Sequence, residues 1–286
     1  MLRSLLVALD GSDSSISAGR MAIGLAKRLN ADIEALGIVN SAWINRPEPL
    51  PVGGAALRAE SNARRLDEAG KRVRSVLNTF RGQAERAGIT SLKARAVEGD
   101  PLALLQDEVA VHDVLVLGRN SLFDAEADMY LFPVAVERMI RQSPRPILLV
   151  PDSETGEGLP LGPVLVAFDG STASSRSLHL FALLGMANDQ PIHVLSLDND
   201  SEENANRLAQ QGCMLLKKHG AQHCTPIGLG NHQAGTASET ILGTARTVGA
   251  RLIVMGAYGH SGIREIFGSC TRDVLKACPV SLFLHH

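Results

Sequence analysis

The chain repeats itself once, and this duplication limits its fold more than any single motif does. Leu6-Val7-Ala8-Leu9-Asp10-Gly11-Ser12 returns as Leu165-Val166-Ala167-Phe168-Asp169-Gly170-Ser171. Val114-Leu115-Val116-Leu117-Gly118 returns as Leu252-Ile253-Val254-Met255-Gly256, and each half closes on a proline-led apolar run, from Pro146 to Val150 and from Pro279 to Leu284. The landmarks keep their order, and a repeat of about 140 residues is a whole domain rather than a solenoid unit. From Pro151 to Gly162 the chain is rich in Gly, Pro and acidic residues and has no apolar periodicity, which reads as a linker. Domains are therefore expected at 1–151 and 163–286, with 152–162 between them.

Within each half, apolar runs alternate with amphipathic stretches. Strands are expected near 3–9, 31–39, 91–97, 113–118 and 146–150, and again near 163–168, 191–196, 223–228, 251–256 and 280–284. Helices are expected near 14–29, 56–87, 101–110 and 130–142, then near 173–187, 202–219, 235–248 and 267–276. Aromatic residues make up only 3% of the chain, so the cores must be aliphatic, as buried parallel strands usually are. The expected class is α/β: two tandem Rossmann-like, doubly wound domains, each a five-stranded parallel sheet flanked by helices. Ligands of such folds sit beyond the carboxyl ends of the strands, where strand order reverses. Asn40 to Glu60, with Trp43 and Pro47, Pro49 and Pro51, has no counterpart in the second half. A lid or partner-contacting loop would suit that place, although a tolerated surface insertion is the favoured reading.

Twenty-eight basic residues against thirty acidic ones give a net charge of −2, which leaves no electrostatic footprint for nucleic acid. No apolar run reaches the ~18 residues of a membrane span. Met1-Leu2-Arg3-Ser4 before Leu5 to Leu9 superficially resembles a signal peptide. The run is too short, however, and ends in Asp10-Gly11-Ser12, so a cytoplasmic protein is expected. Cys213, Cys224, Cys270 and Cys278 read as free thiols of a reducing compartment. Cys213, His219, His223 and Cys224 cluster in sequence, but without zinc-finger spacing; the stretch reads as a helix end entering a strand, and no metal site is expected there. His285 and His286 are left out of the functional reading.

The chemistry-bearing stretch is Gly256-Ala257-Tyr258-Gly259-His260-Ser261-Gly262-Ile263-Arg264-Glu265-Ile266-Phe267-Gly268-Ser269-Cys270-Thr271. Glycines after a buried strand let backbone approach a ligand. Gly268-Ser269 then opens a helix, whose unpaired amides and dipole, with the Ser269 and Thr271 hydroxyls, suit a phosphate. In the first half the matching stretch, Gly118-Arg119-Asn120-Ser121-Leu122-Phe123-Asp124-Ala125-Glu126-Ala127-Asp128, has Ser121 for the second glycine and no later Gly-Ser. Asp124, Glu126 and Asp128 would repel phosphate there. Asp10-Gly11-Ser12 then reads as a turn capping the next helix, and the first half as a structural or partner-binding domain.

On these motifs the chain resembles the universal stress protein family in its tandem form, over nearly its whole length. Nucleotide-binding members carry Gly, two residues, Gly, nine residues, then Gly-Ser or Gly-Thr. Gly256, Gly259, Gly268 and Ser269 match, except that eight residues separate Gly259 from Gly268. The resemblance implies that Ala167, Phe168 and Asp169 line an adenosine pocket completed by Leu195 and Ser196. It implies a second arm of Met255, Gly256, Gly259, His260, Gly268, Ser269, Cys270 and Thr271. The implied ligand is ATP or AMP; Asp169 could hold a divalent ion such as Mg2+ against the phosphates, or equally hydrogen-bond ribose or loop amides. It also puts the closing strands at sheet edges, where the halves would join as an intramolecular pseudo-dimer, with further homodimerisation open. The expected function is a nucleotide-binding regulatory protein of the stress response acting on protein partners. A non-binding scaffold and a slow ATPase are the alternatives. His260, Arg264 and Glu265 are the acid–base candidates, but no nucleophile–base pair is visible, so strong catalysis is not expected. An ATP-pyrophosphatase-type enzyme would need a Ser-Gly-Gly-x-Asp-Ser loop, which neither Asp10-Gly11-Ser12-Asp13 nor Asp169-Gly170-Ser171-Thr172 supplies.

Overall fold

The central apolar runs become strands whose side chains are buried on both faces, the outer strands Leu92–Glu98 and Cys224–Gly230 are only partly buried, and helices cover the sheet from either side. The computed structural model describes residues 1–49, 54–121, 123, 134–152, 162–198, 201–230, 235–257 and 269–286. The first half runs β1 (Ser4–Leu9), α1 (Asp13–Leu29), β2 (Asp32–Val39), α2 (Ser41–Ile44), α3 (Ala55–Arg86), β3 (Leu92–Glu98), α4 (Pro101–Val109), β4 (Val114–Gly118), α5 (Val134–Gln142) and β5 (Ile147–Val150). The second runs β6 (Val164–Ala167), α6 (Thr172–Leu183), β7 (Ile192–Asp198), α7 (Glu202–Lys218), β8 (Cys224–Gly230), α8 (Ala237–Val248), β9 (Leu252–Gly256), α9 (Ser269–Ala277) and β10 (Ser281–His285). Every strand expected from the sequence is present.

All ten strands form one sheet, ordered β3-β2-β1-β4-β5-β10-β9-β6-β7-β8. Neighbours within each half are parallel. The halves meet where β5 and β10 pair antiparallel, Leu149 opposite Leu282 and Ile147 opposite Leu284. Side chains alternate between two core layers. Leu5, Val7 and Leu9 join Val164, Val166 and Phe168 under α1, α3, α6 and α7. Leu6, Ala8, Leu165 and Ile253 join the layer of α4, α5, α8 and α9.

Two departures from expectation have local causes. The excursion after β2 contains the short helix α2, and its end becomes the first turns of α3. Arg46 lies 3.7 Å from the centre of the Trp43 ring, and Arg58 pairs with Glu48 at 3.6 Å. The helix expected near 173–187 ends at Leu183. Gly185 takes φ +75°, its amide donates to Ala182 O, and the Met186 amide donates to Phe181 O, which is a Schellman stop.

A polar clamp closes the amino ends of β1–β3. Ser4 Oγ lies 2.5 Å from Nδ1 of buried His112. Glu34 accepts from Arg95 at 2.8 Å and Lys93 at 3.2 Å, and lies 3.8 Å from His112 Nε2. Serine, histidine and carboxylate thus lie together, but at the opposite end of the strands from any ligand crevice, and with the carboxylate committed to two cations. Burial pushes Glu34 up, yet its hydrogen bonds from Arg95 and Lys93 prevail and hold it below its ordinary value. Burial also holds His112 below its ordinary 6.5, against the pull of Glu34, Glu108 and Asp113. In β10, burial first, then His286, Arg176 and Arg145, depresses His285 to about 4.

Two outcomes are expected. A 1–152 fragment exposes the β5 edge and should pair with its own copy, so analytical ultracentrifugation should find a dimer; a stable monomer would contradict the role given to the seam. Below about pH 6.5 the unfolded chain takes up protons that folded His112 and His285 refuse, so stability should fall as pH falls. Urea melts from about pH 7 to about pH 5 should show this slope, and His112→Asn with His285→Asn should flatten it.

Candidate functional site

The second half leaves β6 outward to β7 and β8, then returns to β9 on the other side of β6. Strand order therefore reverses between β6 and β9, and the carboxyl ends of these strands flank a crevice. Ala167 stands opposite both Leu195 and Met255 at its floor. Leu195 and Met255 are buried and Ala167 is half-buried. Phe168 turns its side chain into the other core layer, so only its backbone faces the strand end. Its carbonyl accepts from Ser196 Oγ at 2.6 Å, and its amide donates to Leu195 O at 2.9 Å, which fixes the β6–β7 corner.

Asp169 follows, exposed, with Oδ1 accepting from the Ser171 amide at 2.9 Å. Ser171 caps α6, its Oγ accepting from Ser174 N at 3.2 Å. On the far side α9 starts at Ser269. Thr271 is buried in its first turn. Burial pushes the Cys270 thiol up to about 11, and the negative charges of Asp273 and Asp169 add to the rise. Asp169 and the amino end of α9 are thus close enough to feel each other's charge. Gly259, His260 and Gly268, and the acid–base candidates Arg264 and Glu265, lie outside the described residues.

Gly256 serves a purpose that the sequence does not announce. A Cβ there would lie 2.6 Å from Ser174 N and 2.8 Å from Ala173 C, in the first turn of α6. At Gly118 it would lie 2.6 Å from Ser15 N and 2.7 Å from Ser14 C, in α1. Both glycines let the first helix of their half press its first turn onto the strand end. Helix packing explains them independently of any ligand.

The first half repeats the frame but closes it. Asp10 is buried; Oδ1 accepts from Ser12 N at 3.0 Å and Ser12 Oγ at 2.6 Å, and Oδ2 accepts from Phe123 N at 3.1 Å. Ser12 caps α1 through Ser15 N, as its Asp-Gly-Ser turn suggests. Ala8, Leu36 and Ile38 are fully buried, and so is Phe123 in the same layer. Asp124, Glu126 and Asp128 lie outside the described residues. Arg119, unremarked in the sequence, crosses the seam: its guanidinium donates to Cys278 O just past the end of α9, while its amide donates to Val150 O at 2.8 Å.

One strand out from Leu195 at the same height, Ile227 helps line a groove of about 620 Å³ against Thr240, Gly243, Thr244 and Thr247 of α8. The Cys213 and Cys224 thiols are adjacent enough to perturb each other, and all four cysteines are free. Among the described residues, no three His, Cys, Asp or Glu side chains converge as metal ligands. Nor is any helix among them long and apolar enough to cross a membrane.

Fold and site together define a tandem doubly wound protein with a crevice at the switch point of its second half. A model of the Universal stress protein family matches residues 1–151 and 231–285, and the chain belongs to that family. It is similar to a universal stress protein of Synechocystis sp., 26% identical over 299 residues that span 99% of this chain and 100% of the relative. It shares its fold with a universal stress protein from Archaeoglobus fulgidus, at TM-score 0.69 and 19% identity over 99% of this chain and 95% of that one. A functionally unknown protein from Pseudomonas aeruginosa has the same fold at TM-score 0.57 and 17% identity, over 99% of this chain and 92% of its own.

The packing role of the two glycines has a direct check. Gly118→Ala and Gly256→Ala should each lower unfolding free energy by roughly 1–3 kcal/mol in urea melts, since the clashing atoms are backbone. Unchanged melting would mean that the helices do not seat on these residues.

Proposed function

We propose that the second half binds adenine nucleotide, ATP or AMP, and that occupancy regulates contacts with protein partners in the cytoplasm during stress. The observation that carries this reading is the contrast between two crevices built on one frame. At matching strand ends, Ala8 and Asp10 are buried, whereas Ala167 is half-buried and Asp169 exposed. A flat base would lie over Ala167, Leu195 and Met255, with Asp169 within reach of the ribose hydroxyls. Phosphates would meet the amides at the amino end of α9, where the helix dipole favours anions. Asp169 supplies one carboxylate for a divalent ion, whose other ligands would be phosphate oxygens and water. In this reading the chain's part is to hold the ligand, with slow hydrolysis at most.

One observation favours a second reading. The eight residues between Gly259 and Gly268 are one fewer than the family's binding pattern has, which suits a scaffold that has lost its ligand. Equilibrium dialysis of the full chain against labelled ATP and AMP separates the two. Saturable binding is expected, lost in Gly259→Val and Gly268→Asp and weakened roughly 10- to 100-fold in Asp169→Ala. No binding by the unaltered chain selects the scaffold.

A further inference from the structure

We propose that the first half is a self-occupied site, in which the Phe123 ring fills the slot that a planar base takes in the second. This rests on the reading of the second crevice as a base-binding slot and extends it to what the other half does with the same frame.

Three observations meet at this residue. The Phe123 side chain is fully buried, in the core layer that holds Ala8, Leu36 and Ile38 at the ends of β1 and β2. Its backbone sits at φ +49°, a conformation uncommon for a residue with a bulky side chain and kept only where surroundings require it. Its amide donates at 3.1 Å to Oδ2 of Asp10, the carboxylate matching Asp169. One residue thus supplies both a flat apolar ring and a donor for the strand-end carboxylate, the two things a nucleoside would bring.

The consequences appear at the matching positions. Ala8 and Ile38 are fully buried where Ala167 and Leu197 are half-buried; Leu36 and Leu195, in register with the two alanines, are buried alike. The difference falls on Ala8 and Ile38, strand-end residues that share a core layer with Phe123. Five residues past Gly118 stands Phe123; five past Gly256 stands Ser261, which has no ring to offer. The chemical class that would replace Phe123 is a neutral nucleoside. Asp124, Glu126 and Asp128, which follow the ring in sequence, oppose a phosphorylated one.

The test is the stoichiometry of adenosine binding to the full chain by calorimetry. Phe123→Ala empties the slot and should take up one equivalent of adenosine more than the unaltered chain; Phe123→Leu keeps it filled and should take up none extra. If the unaltered chain binds no adenosine and Phe123→Ala binds one equivalent, the reading of the second half fails while this one stands. If both bind one equivalent, this inference is overturned and the other stands; if neither binds any, both are overturned. Should Phe123→Ala not fold, Phe123→Val opens the slot less severely. Adenosine should then raise the melting temperature of Phe123→Val more than that of the unaltered chain, and equal shifts overturn the proposal.

Discussion

The antiparallel pairing of β5 with β10 governs everything else in this molecule. Each five-stranded half would otherwise end in an apolar strand with an open row of amides and carbonyls, and buried strands cannot be left that way. Facing each other, Ile147 to Leu149 and Leu282 to Leu284 become the middle of a ten-stranded sheet and are buried on both faces. Because this one pairing is antiparallel, the carboxyl ends of the first-half strands point to one edge of the sheet and those of the second half to the other. The two crevices therefore open in opposite directions, and neither can contribute a residue to the other's floor.

What crosses the seam is mechanical. Arg119 reaches from the end of β4 to the last carbonyl beyond α9, so a residue beside one crevice holds the far end of the helix that opens onto the other. A cation at that end also complements the helix dipole. The amino end of α9, where an anion would be held, is thus steadied from the opposite half. The duplicated frame has diverged in chemistry while its halves stay coupled through a helix that both of them touch.

The duplication and the alternation of strands and helices were legible in the residues, because apolar runs, glycine turns and repeat order are local signals; the joining of the halves at their closing strands came only from the family resemblance. The end of α6 was not, since the stop comes from Gly185 and two amides bending back, and the apolar pattern simply continues to Ala187. Gly256 was misleading in a different way. A glycine after a buried strand looks the same whether it admits a ligand or a helix, and only the distance to Ser174 tells them apart. The half-buried floor at Ala167 and the exposure of Asp169 depend on what lies over them, which no spacing encodes. Phe123 was hidden for the same reason: in sequence it is one apolar residue in an acidic loop. Asp-Gly-Ser, present in both halves, marked matching strand ends without revealing that Asp10 is buried and Asp169 exposed.

The route from one half to the other follows from the seam as well. β5 ends and β6 begins on the same edge of the sheet, because the two strands run in opposite directions. In the order β5-β10-β9-β6 they are three steps apart, about 14 Å at the usual strand spacing. Residues 151–163, drawn out, would reach roughly 40 Å. The chain available is therefore well over twice the distance it has to span. A connection with length to spare imposes no register on the strands it joins, so two separate copies fused end to end could keep the pairing of Ile147 to Leu149 with Leu282 to Leu284 unchanged.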